Sequence, residues 1–254
     1  MPNKDRERQQ RQWEKENAVI QQYRRHGPQM KAALRAKGCV LPFYELLDSS
    51  EEAFGNLVAW AKQEFHTLHE VYETEHDILK TKKGKEHLRL PESWEQVIFD
   101  CKDSPEIASY NDPDDKANLR GGTTAYRDSE GGLHTVVEVG KNPPVRWEHK
   151  EYKYLFKIPL LLHELGHVKD MENRVCFNVD TKTVDLIEAE VYANIFSLTE
   201  CFRRGYFMSA EMFYDSLAGY KNDTAYRGEI VRRLFERFQK PDYKKWIDYE
   251  IEPR

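Results

Sequence analysis

The chain has 254 residues, 39% hydrophobic and 33% charged, with 12 Phe, 14 Tyr and 5 Trp. It is too aromatic for a disordered polymer, and its apolar runs, such as residues 158–162, fall far short of the ~20 residues a bilayer-spanning helix needs. A globular protein with a sizeable core is expected. The four cysteines are scattered without a Cys-x-x-Cys pair, and the opening residues lack an apolar secretory stretch, so the expected location is the cytoplasm.

The net charge of −5 is unevenly spread. Residues 1–38 hold 10 Lys or Arg against 4 acids, a balance of +6, which leaves −11 for the rest. This segment has helix-compatible composition, interrupted at Gly27 and Pro28, and reads as a basic helical N-terminal arm. Such an arm suits contact with a nucleic acid or a protein, because clustered cations release counterions from phosphates. A solvated helix is the plainer reading.

Residues 41–80 read as a second helical region, with Phe54, Leu57, Val58, Ala61, Phe65 and Leu68 at roughly helical spacing. On that reading His66, His69, Glu73 and His76 share one face, which suits either a metal or a solvated polar surface, with the surface favoured. Residues 81–118 are loop-like, and their acidic run at 111–115 lacks the spacing of a calcium loop, so it is a turn. Thr123 to Arg127 and Leu133 to Val139 then flank Asp128-Ser129-Glu130-Gly131-Gly132 as a β-hairpin, with Leu133, Thr135, Val137 and Val139 on one face of its second arm.

The most informative stretch is Leu161-Leu162-His163-Glu164-Leu165-Gly166-His167-Val168. On a helix, His163 and His167 lie about 40° apart, one turn along, so two imidazoles can grip one cation with Glu164 beside them. The apolar flanks bury the helix, and Pro159 fits near its start. Catalytic zinc takes three protein ligands and leaves a position for water, so a third is needed. The longer zinc motif fails because Asp170 and Asn173 occupy its later places. Residues 185–196 form an apolar helical segment with two carboxylates, Glu188 and Glu190, about 200° apart; periodicity does not choose cleanly, with Glu188 somewhat nearer the stripe of Val184, Ile187, Val191, Ile195 and Leu198.

The pattern His163-Glu164-Leu165-Gly166-His167 followed by Glu190-x-x-Ala193-Asn194-x-Phe196 resembles the ImmA/IrrE family of zinc metallopeptidases, over residues 120–205 or so. The resemblance assigns the third ligand to Glu190, leaves Glu188 as the alternative, and makes Asn194 a group that steadies a ligand. It implies an α+β, zincin-like domain across residues 39–254. In it, a small, mostly antiparallel sheet packs on the active-site helix, with further N- and C-terminal helices. It also implies one Zn2+ per chain, Glu164 as general base, and peptide-bond hydrolysis in a protein substrate, with a DNA-binding repressor as the preferred class. The strand carrying Thr135, Val137 and Val139 is expected at the sheet edge, pairing with extended substrate. Residues Tyr152, Tyr154, Tyr192 and Arg146 are candidates to stabilise the oxyanion. Residues 209–212 resemble a helix start, and a last amphipathic helix runs through Ile230, Leu234 and Phe238. Two other classes stay open: a catalytically silent metal-binding regulatory module, and a nucleic-acid-associated protein acting through the arm.

Overall fold

The computed structural model describes residues 50–74, 90–101, 121–140, 153–218 and 226–238. The basic arm at 1–38, His76, the acidic turn at 111–115, Arg146 and Tyr152 lie outside the described residues. In chain order the elements are α1 (Glu51–Glu64), β1 (Leu68–Thr74), β2 (Glu95–Gln96), β3 (Asp100–Cys101), β4 (Gly121–Arg127), β5 (Leu133–Gly140), α2 (Lys153–Asn173), β6 (Phe177–Asn178), β7 (Thr183–Val184), α3 (Leu186–Arg203), α4 (Phe207–Ala218) and α5 (Tyr226–Arg237). The class is mixed α+β. The chain divides into two compact units, one from residues 55–144 and 160–197, the other from the described parts of 1–54, 145–159 and 198–254.

Helix α1 starts where the Ser50 hydroxyl accepts the Ala53 N–H at 3.1 Å and ends at Glu64. The helical reading of residues 65–74 is overturned, since Leu68–Thr74 is strand β1. Thr67, Val71, Tyr72 and Thr74 are β-branched or aromatic, types that lose side-chain freedom in a helix and pack well on a pleated sheet.

The larger sheet has the order β1-β5-β4-β2. Strand β5 pairs parallel to β1, from Leu68 opposite Thr135 to Thr74 opposite Gly140, and antiparallel to β4, from Gly121 opposite Val139 to Arg127 opposite Leu133. The β4–β5 hairpin forms as expected, its turn tied by Asp128, whose carboxylate accepts the N–H groups of Glu130 and Gly132. Gly131 there has φ of 84°, a conformation that favours glycine. The expected edge position of β5 is wrong. With partners on both sides its main chain has no free row of donors and acceptors, and Thr135, Val137 and Val139 are fully buried. Both faces are covered, Ala125 packing with Met171, Phe177, Val184 and Ala189, and Tyr126 with Val136 against Trp94 and Leu90.

Helix α2 is apolar on every side: Tyr154, Leu155, Phe156, Ile158, Leu161, Leu162, Leu165, Val168 and Met171 are all buried. It begins at Lys153, so Pro159 sits in its second turn and not at its start. A proline there costs roughly 3 kcal/mol through the missing N–H. Burying each of Tyr154, Leu155, Phe156 and Ile158 gains roughly 1.5–3 kcal/mol, and burial wins.

Between α2 and α3 the chain makes a fixed hairpin. The buried Asp170 carboxylate accepts the Cys176 N–H at 2.6 Å, and the Asn178 side chain accepts those of Asp180 and Thr181, closing the β6–β7 turn. Asp185 then caps α3 by accepting the Glu188 N–H at 3.1 Å. Cys101, Cys176 and Cys201 are free thiols, and burial together with the Asp170 carboxylate pushes the Cys176 thiol up to about 12.

In the second unit α5 buries Ile230, Val231 and Leu234, and Phe202 stacks on Phe238. Helix α4 starts at Phe207, so Ser209 lies inside it, buried, and is not its cap.

Candidate metal centre

Two helices supply the site. On α2, His163 and His167 are one turn apart with ring centroids 4.9 Å from each other. On α3, Glu190 faces both, its Oε2 3.4 Å from His163 Nε2 and its Oε1 3.5 Å from His167 Nε2. Among the described residues His163, His167 and Glu190 form the group able to hold a metal ion, their donor atoms all within 4.8 Å of one another.

A close helix crossing aims these residues. A Cβ on Gly166 would stand 2.7 Å from the Ala193 Cα, so α2 and α3 approach at a point that only glycine permits on the α2 side. Gly166 lies between the two histidines, and Ala193 lies one turn after Glu190 and next to Asn194. The contact therefore turns Glu190 and Asn194 toward the imidazoles. Glu188, on the other flank of α3, is outside the three-donor group, and its N–H belongs to the Asp185 cap.

Asn194 contacts one of the two imidazoles. Its Oδ1 lies 3.1 Å from His163 Nδ1, and because an amide oxygen only accepts, Nδ1 carries the proton and leaves the Nε2 lone pair free for an ion. His167 Nδ1 is buried without a hydrogen-bond partner among the described residues, and the imidazole stands perpendicular to the Phe177 ring with centroids 5.9 Å apart.

The three side chains are electrostatically coupled. Burial alone would favour neutral His163, but the bonded Glu190 carboxylate, with help from Glu164 and Asn194, outweighs it and lifts the imidazole to about 9. Burial would likewise raise Glu190, yet the bonds and charges of His163 and His167 hold it well below the usual carboxylate range. Two imidazoles and one carboxylate are a donor set suited to zinc, so the residues present fit that metal.

Glu164 lies beside this group and not in it. It is buried, which raises its pKa, an effect that His163 and His167 oppose and Glu190 reinforces. Its Oε2 accepts the Thr123 hydroxyl of β4 at 2.9 Å, and the same hydroxyl lies 3.0 Å from the Glu164 carbonyl oxygen. A Cβ at Gly121 would stand 2.7 Å from Glu164 Oε1. Sequence reasoning missed Thr123 and Gly121 because their partner lies on another element, and no local spacing signals that pairing.

Among the described residues, His66, His69 and Glu73 belong to no group able to hold a metal ion. His69 lies edge-on to Trp94 at 4.8 Å, Trp94 stacks on His134 at 4.0 Å, and His134 bonds Asp128 at 2.8 Å. Of the oxyanion candidates, Tyr154 packs on Phe54 at 5.9 Å, and Tyr192, raised by burial, lies beside Asn173, Asp170 and Cys176.

No protein-family model, curated protein or solved structure matches the chain. No helix among the described residues is long and apolar enough to cross a membrane.

Proposed function

We propose that this chain is a zinc-dependent endopeptidase of narrow specificity with a zincin-like domain, working in the cytoplasm on a regulatory protein. The observation that carries the reading is the convergence of His163, His167 and Glu190 with a separate buried carboxylate, Glu164, beside them. A zinc ion held there supplies Lewis acidity, polarising a peptide carbonyl and making water easier to deprotonate.

The chain's own groups do the rest. Glu164, its proton affinity raised by burial, takes a proton from the attacking water and hands it to the departing amine nitrogen. Asn194 orients His163 through Nδ1. The substrate-pairing role proposed for β5 moves to β4. Among the described residues, 121–124 pair with β5 alone, whereas 126 and 127 also pair with β2. That stretch is an edge for an extended peptide, next to Glu164. A DNA-binding repressor remains the preferred substrate class, on the ImmA/IrrE resemblance of residues 120–205 or so.

The test uses Glu164→Gln in the full-length, zinc-loaded chain. The variant is expected to keep zinc, to hold its protein partner through affinity capture, and to lose cleavage of that captured partner by about 10²–10⁴-fold. Full cleavage by the variant defeats the role of Glu164. If the wild-type chain and the variant both hold the partner and neither cuts it, the silent regulatory module is the right reading.

A further inference from the structure

Glu164 poses a problem that the three-donor group does not answer. It is a buried carboxylate on the same helix as both histidines, adjacent in sequence to His163, and close enough for their charges to act on it. Carboxylates are good zinc ligands, and a fourth protein ligand would close the coordination position that catalysis needs open. Something must keep Glu164 out of the donor set.

Strand β4 supplies two features that act on the two oxygens of this one carboxylate. The Thr123 hydroxyl is within hydrogen-bond distance of Oε2, at 2.9 Å. On the other side, Oε1 occupies the space that a side chain at residue 121 would fill, and Glu164 Cγ would lie 3.0 Å from a Cβ there. Gly121 has no unusual backbone angle that demands glycine, so the missing side chain is what the position uses. Both residues project from the same face of β4, because alternate strand residues share a face.

We propose that Thr123 and Gly121 are positioning residues that seat the Glu164 carboxylate against β4 and keep it from becoming a ligand of the ion held by His163, His167 and Glu190. This rests on the metal-centre reading and deepens it by assigning the device that keeps a coordination position open. Thr123 needs only its hydroxyl and Gly121 only its lack of a side chain, so Thr123→Ser preserves the seat, whereas Thr123→Val and Gly121→Ala spoil it from opposite sides.

The test loads the full chain with cobalt(II) and records its visible absorption, whose shape and intensity report coordination number. Thr123→Val and Gly121→Ala are expected to change the spectrum, Thr123→Ser to keep that of the wild type, and Thr123→Val/Glu164→Gln to match Glu164→Gln alone. Wild-type spectra in both Thr123→Val and Gly121→Ala overturn the proposal, as does a change in Thr123→Val that persists when Glu164 is Gln. A wild-type chain that takes up no cobalt or zinc sinks the metal reading instead. In that case a double-mutant cycle on the metal-free chain, using Thr123→Val and Glu164→Gln in urea unfolding, decides the seat. A coupling of about tenfold or more in the folding constant supports it, and additive effects overturn it.

Discussion

Two segments of this protein space histidines and a glutamate three or four residues apart, and among the described residues only one of them brings its histidines together with a carboxylate. In residues 66–73 the chain turns out of α1 and runs as β1, where successive side chains alternate between faces. His69 ends against Trp94 and serves packing. In residues 163–167 a four-residue histidine step falls on α2, where it returns to one face, and both imidazoles meet Glu190. Histidine spacing thus has chemical meaning only through the backbone that carries it. The choice of backbone followed from side-chain type: β-branched and aromatic residues surround the first pair, and Leu and Gly surround the second.

The sharpest way to break this contrast is to remove one donor from each segment. His167→Ala or Glu190→Ala is expected to reduce zinc from about one ion per chain to almost none after dialysis, measured by elemental analysis. His69→Ala and Glu73→Ala are expected to keep it, and zinc loss from either would show that the first segment also binds. A smaller effect tests the support around the imidazole. Asn194→Ala is expected to weaken zinc binding by about 10–100-fold in a competitive chelator titration, because His163 loses the acceptor that fixes its tautomer.

Protons give a graded version of the same test. In the metal-free chain the His163 pKa is raised from 6.5 to about 9, so its stabilising proton is fully present below pH 6.5 and is lost as pH rises through 9. An ion must displace that proton. Apparent zinc affinity is therefore expected to climb between pH 6.5 and 9 by up to about tenfold per unit, while the metal-free chain loses stability to urea over the same window. A flat profile would remove His163 from the donor set. The smallest expected effect is that of Gly166→Ala, whose new methyl meets the α3 backbone and costs about 1–3 kcal/mol in urea unfolding. If stability is unchanged, the helix crossing is not what holds Glu190 in place.

The local features were readable in advance. The β4–β5 hairpin follows from a Gly-Gly turn between β-branched runs, and the placing of His163, Glu164 and His167 on one helix follows from an apolar sequence with a four-residue histidine step. Each depends on residues close along the chain, where geometry is set by the backbone repeat. The misjudged features were of another kind. Pro159 inside α2, β1 in place of a longer helix and the burial of β5 between two neighbours are each decided by what packs against the segment, and a sum of burial energies overrides a local preference.

The sequence by itself therefore determined the pair of imidazoles, their neighbouring carboxylate and the helix that bears them, because helical periodicity is an intrasegment property. Periodicity left Glu188 and Glu190 both open and the motif resemblance favoured Glu190; tertiary structure puts Glu190 in the three-donor group, where Gly166 meets Ala193 at the helix crossing. It likewise decided that Glu164 is seated by Thr123, a residue 41 positions away that a strand brings to the face of α2. Contacts of that range arise from how buried surfaces close on one another, and no periodicity within either segment encodes them.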